Sequence, residues 1–276
     1  MRTEQPLGEQ AQRVARTYGA AADHYCLPAL GFWDRFGAET VSRMRLTAGL
    51  AVLDLCCGAG ASAVPAAHAV GPGGRVLGID VAEPLLDLAR GGAAREALVN
   101  IEFRRADATR TGLPDGSFDA VLCVFGVFFA PDMATFVAEM WRLVRPGGLL
   151  AVTTWGPGWC EPASTVFWDC VRAVEPSLYK AFNPWDEITT PAALQDLFSR
   201  GGVEHSAVIA ASSEHHLAHP DMFWDVVLGS GYRATVDALS QGQRDLVRGH
   251  VLSELRSRGV TALRTDVVFG TAQRPK

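Results

Sequence analysis

Three aspartates follow short runs that are typical of β-strands, and they are the side chains best placed to hold a ligand. Asp54 and Asp80 each stand at the end of an apolar run, and Asp107 follows an alternating stretch at 101–105. Carboxylates accept hydrogen bonds and attract positive charge. Acidic residues at successive strand ends therefore suit a ligand that carries hydroxyl groups, amino groups and a cationic centre.

A glycine-rich turn comes directly after the first of these strands. Gly58-Ala59-Gly60-Ala61-Ser62-Ala63 fits the pattern G-x-G-x-x-A. The glycines permit a tight turn, and the helix that follows directs its N-terminus at a bound ligand. Nicotinamide, flavin and S-adenosylmethionine sites share this pattern, and so does a plain strand-to-helix turn.

The position of Asp54 favours one of these ligands. It stands four residues before Gly58, where a carboxylate would repel a pyrophosphate held by the same loop. It would attract the ammonium and sulfonium groups of S-adenosylmethionine, which carries no phosphate. Asp80 stands where a carboxylate receives two ribose hydroxyls. Asp107 and the Ala108 N–H could meet adenine, although each aspartate also fits a turn or a helix cap.

The elements that position these residues alternate regularly between residues 50 and 154. Strand, turn and helix recur five times, which predicts a parallel sheet with helices on both faces. Before this region the chain reads as helical over 9–48, with a break at Pro28, and after it the pattern is less regular. The predicted strands are 50–55, 75–80, 101–105, 118–125, 149–154, 203–212 and 265–271; the predicted helices include 61–70, 83–97, 133–144 and 191–200.

Taken together, these motifs resemble the class I S-adenosylmethionine-dependent methyltransferases of the small-molecule, ubiquinone-biosynthesis-like branch. The resemblance implies a Rossmann-like seven-stranded, mostly parallel sheet in the order 3-2-1-4-5-7-6, with one antiparallel strand. It implies an N-terminal helical lid over 1–48, a cofactor-binding core over 49–155, and a cap that completes the sheet over 156–276. The matching segments are 52–60, 78–80, 107–108, 113–119 and 143–148.

The resemblance also assigns roles to residues around S-adenosylmethionine. Those expected to hold its methionine part are Asp54, Cys57, Gly58 and Gly60. Those expected around its nucleoside are Asp80 for the ribose and Val81, Asp107 and Ala108 for the adenine. Cys123 and Phe125 are expected near the methyl group, and Tyr18 and Tyr25 on the N-terminal segment are expected to close over the cofactor.

Two departures from the family pattern concern the glycine-rich loop and the segment after the fourth strand. Cys56 stands where relatives often have glycine, and Val127-Phe128-Phe129 replaces a frequent Leu-His-His triplet. The aromatic segment indicates an apolar or aromatic acceptor, such as a quinone-like or secondary metabolite. The residues expected to line its pocket, unless they form the core of the cap, are Trp33, Phe128, Trp155, Trp185 and Tyr232.

No residue is identified as catalytic from the sequence. In-line methyl transfer depends chiefly on alignment and exclusion of water, and a base is needed only for an acceptor that holds its proton. His215, His216 and His219 are candidates for such a base, although a solvated loop is the favoured interpretation. The sequence predicts no metal site.

Composition limits the other functions. The net charge of −5 gives no basic face for nucleic acid. The six cysteines form no C-x-x-C, no apolar run reaches the roughly 20 residues that a membrane span requires, and the start has no signal-peptide pattern. We therefore expect a cytoplasmic small-molecule enzyme with no membrane insertion. The sequence does not determine its oligomeric state. A non-methylating relative such as a cyclase is the main alternative; a nicotinamide oxidoreductase is disfavoured by Asp54.

Overall fold

The computed structural model describes residues 7–276 as strands and helices that alternate along the chain. The strands are β1 (Ala51–Leu55), β2 (Arg75–Asp80), β3 (Ile101–Arg105), β4 (Phe118–Val124), β5 (Val144–Trp155), β6 (Ser206–Ala211), β7 (Glu214–His216), β8 (Ala262–Arg264) and β9 (Val267–Gln273). The α-helices are α1 (Glu9–Ala21), α2 (Phe32–Met44), α3 (Ala63–Val70), α4 (Glu83–Arg95), α5 (Met133–Leu143), α6 (Ala163–Val174), α7 (Pro191–Arg200), α8 (Phe223–Leu228), α9 (Arg233–Ala238) and α10 (Gln241–Ser257).

Seven of these strands form one sheet in the order β3-β2-β1-β4-β5-β9-β6. Strands β1 to β5 pair in parallel, and β9 runs antiparallel to both β5 and β6. The predicted order and the single antiparallel strand are therefore confirmed, with β6 and β9 as the sixth and seventh strands. Strands β7 and β8 pair with each other outside this sheet, where the sequence had indicated a loop.

The sheet is buried on both faces because successive side chains of a strand point to opposite sides. In β1, Val52 packs with α2, α3 and α4, and Leu53 packs with the aromatic cluster on the other face. All five residues of β1 are buried. This explains why its sequence is a continuous apolar run.

Several element boundaries differ from the predicted ones. Strand β5 begins at Val144 and not at 149, because the chain pairs with β4 through an irregularity in register. Gly148 is necessary there, since a Cβ atom would stand 2.7 Å from the Asp119 carbonyl oxygen. Helix α3 begins at Ala63 because the two residues before it still belong to the glycine-rich turn.

Helix α1 lies across the carboxyl ends of the central strands. It contacts α4 on one side and α9 on the other. Just beyond it, Asp23 forms an ion pair with Arg233 of α9 at 3.1 Å. The division into lid, core and cap stays a prediction, and among residues 7–276 no helix is both long and apolar enough to cross a membrane.

Candidate functional site

A cavity of about 450 Å³ lies beneath α1, at the carboxyl ends of β1 to β4. Strand order reverses between β1 and β4, and open α/β sheets bind ligands at such a switch point. Helix α1 supplies one wall, from Gly8 to Tyr18. The opposite wall is formed by the turns after β1, β2, β3 and β4, so these four turns border one space.

Asp80 lines this cavity and is held in place by backbone donors. Its Oδ2 atom accepts a hydrogen bond from the Gly58 N–H, and its Oδ1 atom accepts one from the Ala82 N–H, each at 2.9 Å. Burial raises the pKa of the Asp80 carboxyl, and these backbone bonds oppose the shift. Each oxygen keeps a second acceptor site, so the carboxylate is oriented and still free to receive two hydroxyls.

Asp107 and Ala108 lie on the same wall, one strand further along. The Asp107 Oδ1 atom accepts hydrogen bonds from the Thr109 N–H at 2.9 Å and the Thr109 hydroxyl at 2.7 Å, and so begins a short helical turn. Its other oxygen lies 3.8 Å from Arg110. Val81 and Leu85 line the space between this turn and Asp80. The apolar side chains and the free acceptor suit a purine base.

Asp54 does not line the cavity, contrary to its expected contact with the donor. Its side chain is fully buried under the turn, and Oδ2 accepts a hydrogen bond from the Ser62 hydroxyl at 2.7 Å. Ser62 lines the cavity instead, a role that sequence reasoning missed. Burial raises the pKa of Asp54 to about 7, although the Ser62 hydrogen bond opposes this. The Oδ1 atom has no hydrogen-bond partner among the described residues.

The glycine-rich turn approaches the N-terminal segment at Gly58. This residue has a left-handed backbone (φ 52°), and a Cβ atom there would stand 3.1 Å from the Tyr25 hydroxyl oxygen. Cys57 and Gly58 line the cavity, whereas Gly60 packs against Ala89 and Phe103 beneath it. A side chain at Gly58 would therefore press against the Tyr25 ring at the wall of the cavity.

Aromatic rings surround the centre of the cavity. Tyr25 stacks on Trp33 at 5.5 Å, Tyr18 meets Phe129 edge-on at 5.4 Å, and Phe125 completes the wall. Burial raises the pKa of both tyrosines, so their hydroxyls are protonated donors at neutral pH. Ring faces attract cations. Together with the acidic strand ends, this wall fits S-adenosylmethionine, whose sulfonium is the positive centre.

The remaining aromatic residues predicted for the acceptor form packed core. Phe125 stacks on Trp155 at 3.8 Å, and a chain of contacts continues from Trp155 through Trp159 to Tyr232. Of the predicted acceptor residues, Trp33 lines the cavity, and those that do not are Phe128, Trp155, Trp185 and Tyr232. Phe129, which the sequence analysis did not select, lines it. Cys123 is likewise buried behind the wall.

The three candidate histidines lie away from the cavity. His215 belongs to β7 and meets Phe32 edge-on at 5.2 Å, and burial lowers its pKa. His216 and His219 are exposed. Within residues 7–276, no group of three or more His, Cys, Asp or Glu side chains could hold a metal ion.

Known proteins share these features. A family model described as a methyltransferase domain matches residues 52–148. The chain is 39% identical over 115 residues to demethylmenaquinone methyltransferase of Lactococcus lactis subsp. lactis (strain IL1403), covering 42% of this chain and 46% of that protein. It is 31% identical over 196 residues to the protein of the same name from Listeria monocytogenes serotype 4a (strain HCC23), covering 66% and 81%.

Solved structures share the fold. Phosphoethanolamine N-methyltransferase 2 of Haemonchus contortus, in complex with phosphomonomethylethanolamine and S-adenosylhomocysteine, superposes with a TM-score of 0.60 at 16% identity, covering 98% of this chain and 61% of that one. The [4+2]-cyclase SpnF superposes with a TM-score of 0.59 at 17% identity, covering 99% of each chain.

This chain belongs to the class I S-adenosylmethionine-dependent methyltransferases. Within that class it falls in the branch that contains the demethylmenaquinone methyltransferases. Its methyl donor is S-adenosyl-L-methionine, which becomes S-adenosyl-L-homocysteine when the methyl group is transferred.

Proposed function

We propose that this protein methylates an apolar, aromatic or quinone-like metabolite that loses its proton readily. The observation that carries the proposal is the composition of the cavity, which joins acidic strand ends to an aromatic wall. Relatives named demethylmenaquinone methyltransferase support an acceptor with a quinone-like ring.

The cofactor residues follow from the two ends of the cavity. Asp80 would receive the ribose hydroxyls, and Val81, Asp107 and Ala108 would surround the adenine. Gly58 and Ser62 would hold the methionine part, with Asp54 acting through Ser62. Bound S-adenosylmethionine supplies an electrophilic methyl group on a positively charged sulfur. The aromatic wall of Tyr18, Tyr25, Trp33, Phe125 and Phe129 would exclude water and stabilise that charge.

The ionisable groups at the aromatic wall favour an acceptor that ionises on its own. Tyr18, Tyr25, Cys56 and Cys57 line it. Burial raises the pKa of both tyrosines and of Cys57, and the hydrogen bond with the Cys123 thiol, together with burial, raises that of Cys56. They are protonated at neutral pH and act as hydrogen-bond donors, not bases. A phenolate or enolate would be stabilised by these donors and would need no base from the protein.

The first experiment is a titration of the protein with S-adenosylhomocysteine, followed by incubation with S-adenosylmethionine and a matched acceptor panel. The panel contains a naphthoquinol, an acidic phenol, a benzylic alcohol and an aromatic amine. We expect methylated product and S-adenosylhomocysteine from the quinol and the phenol only. Equal methylation of the alcohol or the amine would contradict the proposed acceptor class.

A second candidate function is a cyclisation on the same fold, which the similarity to the cyclase SpnF favours. The same assay distinguishes the two functions. Methyl transfer produces one S-adenosylhomocysteine for each product molecule, whereas a cyclase converts its substrate without consuming S-adenosylmethionine.

A further inference from the structure

Two cysteines converge at the wall of the cavity. Cys56 follows β1 and lines the cavity, and Cys123 is fully buried in the neighbouring strand β4. A Cβ atom on Gly126 would stand 2.8 Å from the Sγ atom of each cysteine. The two sulfur atoms therefore flank one glycine, and the distance between them is at most twice 2.8 Å. The Cys123 thiol, with burial, raises the pKa of Cys56.

The backbone at Cys56 is one that favours glycine. Its φ of 60° is left-handed, a conformation that a residue with a Cβ atom rarely adopts. Residues held in such conformations concentrate at functional sites. The strained residue is a cysteine, and its thiol turns towards a second thiol on the adjacent strand.

We propose that Cys56 and Cys123 form a dithiol site for a thiophilic ligand, a trivalent arsenical, whose binding closes the cofactor cavity. An organic arsenoxide reacts with two thiols. Two As–S bonds form, the As=O bond breaks, and the oxygen leaves as water with both thiol protons. Arsenic stays trivalent, so no oxidant or reductant is needed. Because Cys56 lines the cavity, the bound group would occupy space next to Phe125.

A disulfide is the other product that two neighbouring thiols can form. Peroxides attack the thiolate, and a raised pKa leaves little thiolate at neutral pH. A disulfide requires the sulfurs to approach to about 2.05 Å. A bridging atom with bonds of about 2.3 Å to each sulfur, the length of a Zn–S bond, spans a wider gap. Among residues 7–276 there is no cluster of three ligating side chains, so the site offers two sulfurs and suits a ligand that needs only two.

Cys57 provides a matched control. It is adjacent to Cys56 in sequence and is the more deeply buried of the two, and burial raises its pKa as well. Its thiol points the other way, however, because its Sγ atom lies 2.9 Å from the position of a Cβ on Gly78. It should therefore be unable to share a ligand with Cys123.

The test uses phenylarsine oxide in the presence of excess monothiol, which removes it from isolated cysteines such as the exposed Cys26. Intact mass spectrometry should show one adduct, formed with loss of one water, on the wild type and on Cys57→Ser. The adduct should be absent from Cys56→Ser and from Cys123→Ser. In the wild type it should weaken S-adenosylhomocysteine binding at least tenfold, and S-adenosylhomocysteine should slow its formation.

Cys56→Gly controls for misfolding of the serine variants, since glycine suits the left-handed backbone. This variant should fold and bind S-adenosylhomocysteine, but it should not form the adduct with the arsenical. Adduct on Cys56→Ser or Cys123→Ser would overturn the proposal, as would an adduct that leaves cofactor affinity unchanged. Hydrogen peroxide oxidising the pair at neutral pH faster than phenylarsine oxide binds would also overturn it. None of these readouts requires methyl transfer, so the proposal stands or fails separately from the proposed function.

Discussion

The cofactor end of the cavity and the aromatic cap are both largely buried, but they differ in how their side chains are satisfied. At the cofactor end, polar groups are oriented but incompletely satisfied, as in Asp80, whose oxygens each accept one backbone hydrogen bond and could accept another. In the cap, Trp159, Trp185 and Tyr232 pack on one another and leave no comparable opening. Spare hydrogen-bonding capacity therefore identifies the ligand site better than aromatic content does.

Trp185→Ala tests the structural role of the cap and should have the largest effect. The ring packs edge-on against Phe128 at 5.4 Å and Trp159 at 5.3 Å. Its removal should lower the free energy of unfolding by about 3–5 kcal/mol, measured by denaturant titration. S-adenosylhomocysteine affinity and acceptor KM should be unchanged below the unfolding transition. A raised acceptor KM with unchanged stability would place Trp185 in an acceptor pocket.

Asp54→Asn tests the buried carboxyl through pH. The folded pKa of about 7 lies above the ordinary value of about 3.9, so between these values the folded chain holds a proton that the unfolded chain has lost. Wild-type stability should therefore decrease as pH rises from about 4 to about 7, by on the order of 3 kcal/mol from this group.

The asparagine variant keeps an oxygen for the Ser62 hydroxyl but loses this pH dependence. The difference between the two unfolding curves isolates the contribution of Asp54. Cofactor binding to the wild type at pH 6 should release protons, because a nearby cation favours the carboxylate, and binding to the variant should release fewer. Parallel stability curves for the two proteins would contradict this role.

Asp80→Ala should weaken S-adenosylhomocysteine binding by about 1–3 kcal/mol, through lost hydrogen bonds to a charged acceptor. Calorimetric titration measures the change. Asp87→Asn is the control, since this aspartate is exposed on α4. An unchanged Kd for the Asp80 variant would remove that residue from the site.

Gly58→Ala should weaken binding by about 1–2 kcal/mol, because the left-handed backbone disfavours a Cβ atom. Tyr25→Phe on the alanine background removes the oxygen that lies 3.1 Å from the new Cβ. The double variant should recover the part of the loss due to contact and none of the part due to backbone strain. Full recovery would show that the backbone conformation is not limiting.

The sequence predicted most of the strands and their acidic ends because both depend on local patterns, whereas the sheet order followed from the family resemblance. Asp80 and Asp107 follow strands whose carboxyl ends meet at one edge in any parallel sheet. The sequence could not predict that Asp54 lies behind Ser62, because their hydrogen bond depends on how the glycine-rich turn between them folds. It also could not separate Phe128 from Phe129, because a short helical turn directs one into the core and the other into the cavity.

A crystal structure with S-adenosylhomocysteine tests the central claim most directly. The account predicts the ligand beneath α1, with both ribose hydroxyls within hydrogen-bond distance of the Asp80 carboxylate and its sulfur facing the rings of Tyr25 and Phe125. Density for the ligand in the cap, or on the outer face of the sheet, with Asp80 bonded only to its backbone donors, would contradict it.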